Sequence, residues 1–193
     1  MRRLSLPPHF GALYVCPAED TESAQSAAAH RMLSEALPLY TEERRITLSD
    51  PPTLLCTDMG KPYFSDLPDV RFNLTHCRGL AGCLFSPWEC GVDAEGIRPV
   101  RERVVRRVFS AQEQEMLRHA AAPDLLFTRL WTLKEAYVKA IGVGISYPMR
   151  EVSFSFGADG EIVCSKTEAG FWQTTEAASY VISVCILNEK HSS

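Results

Sequence analysis

Short apolar runs and longer helical stripes alternate along this chain, and they predict two helix-and-strand halves. Residues 11–16, Gly-Ala-Leu-Tyr-Val-Cys, read as a first strand. Asp20-Thr21-Glu22 supplies cap and first-turn residues, so a helix is expected over 22–37. It should end at Pro38, which lacks a donor and clashes with the preceding turn. Residues 49–69 are rich in Pro and Asp around Gly60-Lys61-Pro62 and are expected to be mostly loop. Three strand-like runs follow, 70–77, 80–86 and 90–95. The tight spacers Arg78-Gly79 and Ser86-Pro87 predict antiparallel neighbours. Arg98-Pro99 then breaks the chain. A basic helix over about 100–107, a second over 111–121 and a strongly periodic third over 124–141 come next. Strands are expected at 152–156, 161–165, 171–175 and 180–187, with Ala158-Asp159-Gly160 as a hairpin turn. Each half reads as a helix followed by strands, a repeat of architecture without a repeat of sequence. A boundary near Gly96 to Pro99 gives halves 1–96 and 97–193, and the class is α+β, helices packed on antiparallel sheets.

Composition narrows the function without naming it. The 193 residues suffice for one ordinary domain or two small ones, and 46% hydrophobic with 23% charged residues is normal for a globular protein. A net charge of −4 argues against a nucleic-acid binder. Met1 to Pro8 lacks an apolar h-region, so no signal peptide is expected, and no apolar run approaches membrane length. Seven cysteines, an odd number without a C-x-x-C pair, fit a reduced cytoplasmic protein.

Chemistry enters at four places. In Gly91-Val92-Asp93-Ala94-Glu95, a strand puts Asp93 and Glu95 on one face, about 7 Å apart, where they can converge on a hard cation. The bland alternative is a solvated strand end. In the helix over 124–141, Phe127, Leu130, Trp131, Val138 and Ile141 form an apolar stripe. Lys134 falls within the stripe, Glu135 at its edge, and Lys139 one turn beyond Glu135. A snorkelling Lys134 and an i,i+4 Glu135–Lys139 pair explain Lys139 well and Lys134 poorly. Asn73-Leu74-Thr75-His76 offers His76 as a phosphate or adenine-ribose contact or as a structural histidine, and Lys61 sits on a stiff Gly-Lys-Pro loop. Acids alone would suit calcium. Acids together with Lys134, Lys139, Lys61 and His76 suit a magnesium-bridged phosphate substrate. Two carboxylates 4 Å apart repel by roughly 4 kcal/mol at an effective dielectric of about 20. Three converging acids therefore need a cation, or they protonate or splay apart.

The order Gly-Lys-Pro, Asn-x-Thr-His, Gly-x-Asp-x-Glu, Phe-Ser-x-x-Glu and Trp-x-x-Lys-Glu-x-x-x-Lys resembles the Sfp-type 4'-phosphopantetheinyl transferases over residues 60–155. The resemblance implies a monomer of two similar α/β halves related by a pseudo-twofold, with coenzyme A in the cleft between them. It implies transfer of the phosphopantetheine arm to a serine of an acyl or peptidyl carrier protein. It assigns Mg²⁺ to Asp93, Glu95 and Glu135, and the coenzyme A phosphates to Lys134 and Lys139. The nucleotide end falls to Thr75, His76 and Lys61, beside His30-Arg31. Glu135 is the expected base, with Glu113 of Phe109-Ser110-Ala111-Gln112-Glu113 a second candidate. The chain departs from the family in carrying Thr75 where serine is usual. It also carries Asp20-Thr21-Glu22-Ser23-Ala24 where a basic stretch is usual, which leaves a coenzyme A or carrier binder without turnover as the alternative. A magnesium enzyme acting on another diphosphate is a further rival. The carrier is expected to be acidic, because residues 98–107 hold five arginines; Arg101, Arg103 and Arg106 are the expected docking surface or, more plainly, a solvated helix face.

Overall fold

Two antiparallel sheets, each covered by one long helix, carry the chain. The computed structural model describes residues 1–48, 50–177 and 179–187. The first part comprises β1 (Arg2–Leu4), β2 (Ala12–Pro17), α1 (Glu22–Arg44), a short hairpin of β3 (Leu54–Cys56) and β4 (Pro62–Phe64), then β5 (Arg71–Cys77) and β6 (Leu80–Ser86). The second comprises β7 (Cys90–Gly96), α2 (Glu102–Val108), α3 (Ala111–Arg118), α4 (Pro123–Ile141), the small pair β8 (Phe154–Phe156) and β9 (Ile162–Cys164), then β10 (Ala169–Glu176) and β11 (Tyr180–Leu187). The sheet orders are β1-β2-β6-β5 and β10-β11-β7. One winding occurs twice. A strand and a helix are followed by a hairpin whose second strand pairs with the opening strand, giving β2-β6-β5 and then β7-β11-β10. The α+β class and the repeat of architecture are both present.

The repeat does not divide where the sequence pattern placed it. β7 belongs to the second sheet, paired with β11 from Cys90↔Ile186 to Gly96↔Tyr180. The chain therefore changes sheets just after β6, ahead of the expected boundary at Gly96. The close spacing of β6 and β7 reflects sheets stacked face to face, where Leu13, Val15 and Leu84 pack against Val92, Ala94, Ile182 and Val184. On the outer face of the first sheet, Met32, Leu37 and Tyr40 of α1 meet Tyr14, Phe72 and Phe85. On the outer face of the second, Phe127, Leu130 and Leu133 of α4 join Phe109 and Phe154.

α1 corrects a second expectation, since it runs through Pro38 to Arg44. A helix-interior proline costs about 3 kcal/mol. Leu37 and Tyr40 are 4% and 1% exposed, and burying each contributes about 1.5–3 kcal/mol, so continuation wins. Pro38 itself faces solvent. Two small elements went unread. β1 pairs with β2, and the β3–β4 hairpin lies inside the segment expected to be loop.

Two contacts set the geometry that matters. β5 lies along β7 and bridges it with side chains: Asn73 Oδ1 accepts the Val92 N–H at 2.8 Å, and Thr75 Oγ1 accepts the Ala94 N–H at 2.9 Å. On the other side, α4 sits directly on Gly91. A Cβ at this position would lie 2.0 Å from Ala136 O and 2.5 Å from Ala140 N, both backbone atoms of a helix that cannot yield. Gly91→Ala is therefore expected to cost about 3 kcal/mol or more, the upper end for overpacking. Urea unfolding should show it as a lowered midpoint with unchanged slope.

Candidate active site

The site forms where α4 crosses β7. Strand alternation sends Val92 and Ala94 into the inter-sheet core and turns Asp93 and Glu95 toward α4. Because α4 rests on Gly91, Lys139 reaches the strand. Its Nζ donates to Asp93 Oδ1 at 2.7 Å and to Val92 O at 3.1 Å. Asp93 is buried, and its Oδ2 has no hydrogen-bond partner. Glu95 Oε1 lies 3.0 Å from Arg98 Nη2. Glu135, half-buried, stands one turn before Lys139 on α4.

The three acids share one electrostatic field. Burial pushes the Glu95 carboxyl above its ordinary range, Asp93 pushes it further, and Arg98 opposes both. Burial and then Asp93 raise Glu135 in the same way, against Lys139. Among the described residues no three His, Cys, Asp or Glu side chains are gathered at metal-ligand spacing. Glu95 and Glu135 have raised pKa values, and Lys139 and Arg98 supply counter-charge to Asp93 and Glu95.

Glu135 lines two openings. A cavity of about 250 Å³ is lined by Met59, Gly60, Lys61, Asn73, Glu135 and Lys139. A second cleft, of about 500 Å³, is lined by Arg103, Arg107, Trp131, Glu135, Tyr147 and Arg150. Lys61 joins the two parts of the chain, because its Nζ donates to Ala140 O at the end of α4 and to Glu89 Oε2, both at 2.7 Å. Arg71 holds the other Glu89 oxygen at 2.8 Å. A larger apolar cavity of about 560 Å³ between α1 and the segment around Leu48 to Leu54 shares none of these residues.

Several expected site residues lie elsewhere. Lys134 is fully buried, with Nζ 2.9 Å from Glu113 Oε2 and donating to Met149 O at 2.8 Å and to Val152 O. Glu113, also fully buried, accepts from Ser110 N at 2.7 Å and Phe154 N at 2.9 Å. The pair closes on itself inside the fold, which corrects both the phosphate contact assigned to Lys134 and the base role assigned to Glu113. Burial draws the Lys134 pKa down and Glu113 pushes it back. Thr75 is likewise corrected from a ligand contact to a buried bridge between β5 and β7. His76 is exposed, and Arg31 is exposed on α1, 4.0 Å from Glu35; neither lines the openings beside Glu135. Of the expected docking arginines, Arg103 lines the cleft, whereas Arg101 is exposed and Arg106 lies 3.9 Å from Glu102. Arg98, Trp131 and Glu89 escaped the sequence reading as site residues. Arg98 had one legible signal, its spacing of three residues from Glu95.

Two measurements separate these roles. Removing one partner of a buried pair costs about 3–5 kcal/mol, so Lys134→Met should lower stability by that much, and Lys134→Met/Glu113→Gln should recover part of the loss in urea unfolding. Glu135 differs. Its folded pKa is raised, so the ionised group destabilises the metal-free fold as pH rises through and above its ordinary value of 4.5. Glu135→Gln should raise the metal-free Tm at pH 7.5, with the gain vanishing below pH 4.5.

Comparison with known proteins identifies the family. Residues 89–185, from the entry of β7 into β11, match the model of the 4'-phosphopantetheinyl transferase superfamily, half of the chain. A 4'-phosphopantetheinyl transferase of Bacillus subtilis is 30% identical over 166 residues, covering 81% of this chain and 74% of the relative. The 4'-phosphopantetheinyl transferase Sfp of Bacillus subtilis (strain 168) is 30% identical over 138 residues, covering 69% of this chain and 62% of Sfp. A solved holo-[acyl-carrier-protein] synthase from Neisseria meningitidis overlays 52% of this chain and 98% of its own, with 15% identity and a TM-score of 0.47. The chain belongs to the 4'-phosphopantetheinyl transferase superfamily.

Proposed function

We propose that this chain transfers the 4'-phosphopantetheine arm of coenzyme A to a serine of an acyl or peptidyl carrier protein, releasing 3',5'-ADP. The observation that carries the reading is the buried Asp93 Oδ2 left without a partner, in a site where Glu95 and Glu135 share the field of Asp93 and Lys139 and Lys61 supply positive charge. The donors are all hard oxygens and suit Mg²⁺, which takes one or two carboxylates and leaves room for phosphate oxygens. Asp93, Glu95 and Glu135 would hold it. When bound, Mg²⁺ supplies charge neutralisation for the pyrophosphate and its leaving group.

The chain's own residues do the rest. Lys139 uses two of its donors on Asp93 and Val92 and keeps one for a phosphate oxygen. Lys61 lines the same cavity. The serine Oγ forms a bond to the β-phosphorus of coenzyme A, the pyrophosphate P–O bond breaks, and the serine proton passes to the Glu135 carboxylate, directly or through a water. The cleft lined by Arg103, Arg107 and Arg150 also reaches Glu135 and suits an acidic carrier. A monomer is in keeping with two similar halves in one chain. The unpaired thiols of all seven cysteines fit a reducing cytoplasm. No described helix is long and apolar enough to cross a membrane.

The place of Arg31, exposed on α1 and outside both openings beside Glu135, favours one rival, a binder of coenzyme A or carrier without turnover. The protein with coenzyme A, Mg²⁺ and an apo carrier decides between them. Intact-mass measurement should show the carrier heavier by one phosphopantetheine, and Asp93→Ala should abolish the gain without unfolding the protein. An unmodified carrier across several carrier types, or an active Asp93→Ala protein, would overturn the proposal.

A further inference from the structure

Arg98 is held in a way its position does not require. It follows Glu95 by three residues in the linker from β7 to α2, where an exposed ion pair would be mobile and worth about 0–1 kcal/mol. Here the linker is stitched to the start of α4. The Arg98 N–H donates to Thr128 Oγ1 at 3.3 Å, and the Val100 N–H donates to Asp124 Oδ1 at 3.0 Å. The guanidinium lies over two aromatic rings of the same helix, with Cζ 5.1 Å from the Trp131 centroid and 6.0 Å from that of Phe127. Its Nε is buried without a partner, so burial of this group brings no hydrogen bond to the nitrogen itself. What the arrangement does achieve is a fixed Nη2, 3.0 Å from Glu95 Oε1.

Asp93 is treated in the same manner. Lys139 occupies Oδ1 and leaves Oδ2 without a protein donor. Each of the two strand carboxylates is thus gripped through one oxygen by a cation that α4 orients, Lys139 from within the helix and Arg98 by stacking on it. An outer group that fixes a ligand carboxylate in this way typically contributes 10–100-fold to metal affinity.

We infer that Arg98 is a positioning residue for Glu95, holding its carboxylate ready for the divalent cation on the aromatic platform of Trp131 and Phe127. This rests on the reading that Asp93, Glu95 and Glu135 hold such a cation. Arg98 acts through Glu95 and needs no contact with substrate. The guanidinium is better suited to this than an ammonium, which keeps the charge but cannot stack and donate at once as a planar group does.

Mn²⁺ serves as the probe, its affinity measured by calorimetry or electron paramagnetic resonance on the full chain without substrate, with thermal unfolding followed alongside. Arg98→Met should weaken Mn²⁺ binding by about 10–100-fold, and Arg98→Lys should recover part of it. Arg118→Met, which removes the same charge from an exposed site on α3, should leave it unchanged. Binding to Arg98→Met as tight as wild type, or tighter, overturns the inference, since Arg98 would then be idle or a competitor for Glu95. Equal losses of Mn²⁺ affinity and Tm in Arg98→Met and Arg98→Lys would also overturn it, reducing Arg98 to a structural role. A wild-type protein that binds no Mn²⁺ brings down the metal reading first, and this inference with it.

Discussion

The seating of α4 on Gly91 is the constraint from which the rest of the site follows. A side chain of any size at that position would lift the helix off β7. Lys139 would then lose Asp93, and Glu135 would leave the field of the strand carboxylates. The same seating fixes the far end of α4, where the Ala140 carbonyl meets Lys61 from the first part of the chain. One missing Cβ thus links a helix position, a strand position and a loop that are distant in sequence.

α4 carries two lysines five residues apart with opposite fates. Lys134 points into the fold, where a carboxylate and two carbonyls satisfy its ammonium and no water is needed. Lys139 points along β7, where its partners leave capacity on both sides: a donor on the ammonium and the Oδ2 of Asp93. The first arrangement is complete and adds specificity to the packing around α3 and β8. The second is left incomplete at Asp93 Oδ2, the capacity that the proposed cation would take up.

Much of this was legible in the residues. Alternation placed Asp93 and Glu95 on one face, and the helical stripe placed Lys134 among apolar neighbours. The same stripe held the correct meaning of Lys134, that a charge on a buried face needs a buried partner. The partner, Glu113, lies on another helix, and no local pattern could pair the two. Thr75 was misplaced for a similar reason. Its hydroxyl answers an amide of β7, and that requires knowing that β5 and β7 lie side by side although they pair in different sheets. Pro38 was misread because propensity is local, whereas the burial of Leu37 and Tyr40 that outweighs it is not. Arg98 looked like a chain break because its role depends on Trp131 and Phe127, some thirty residues on.

The Asn73 and Thr75 bridges have one more consequence. A strand whose outer amides are unpaired is a template for any passing extended segment, its own copies included. Two side chains occupy the Val92 and Ala94 amides. Both amides are thereby closed to an added strand, and this edge of β7 cannot template the pairing of a second copy.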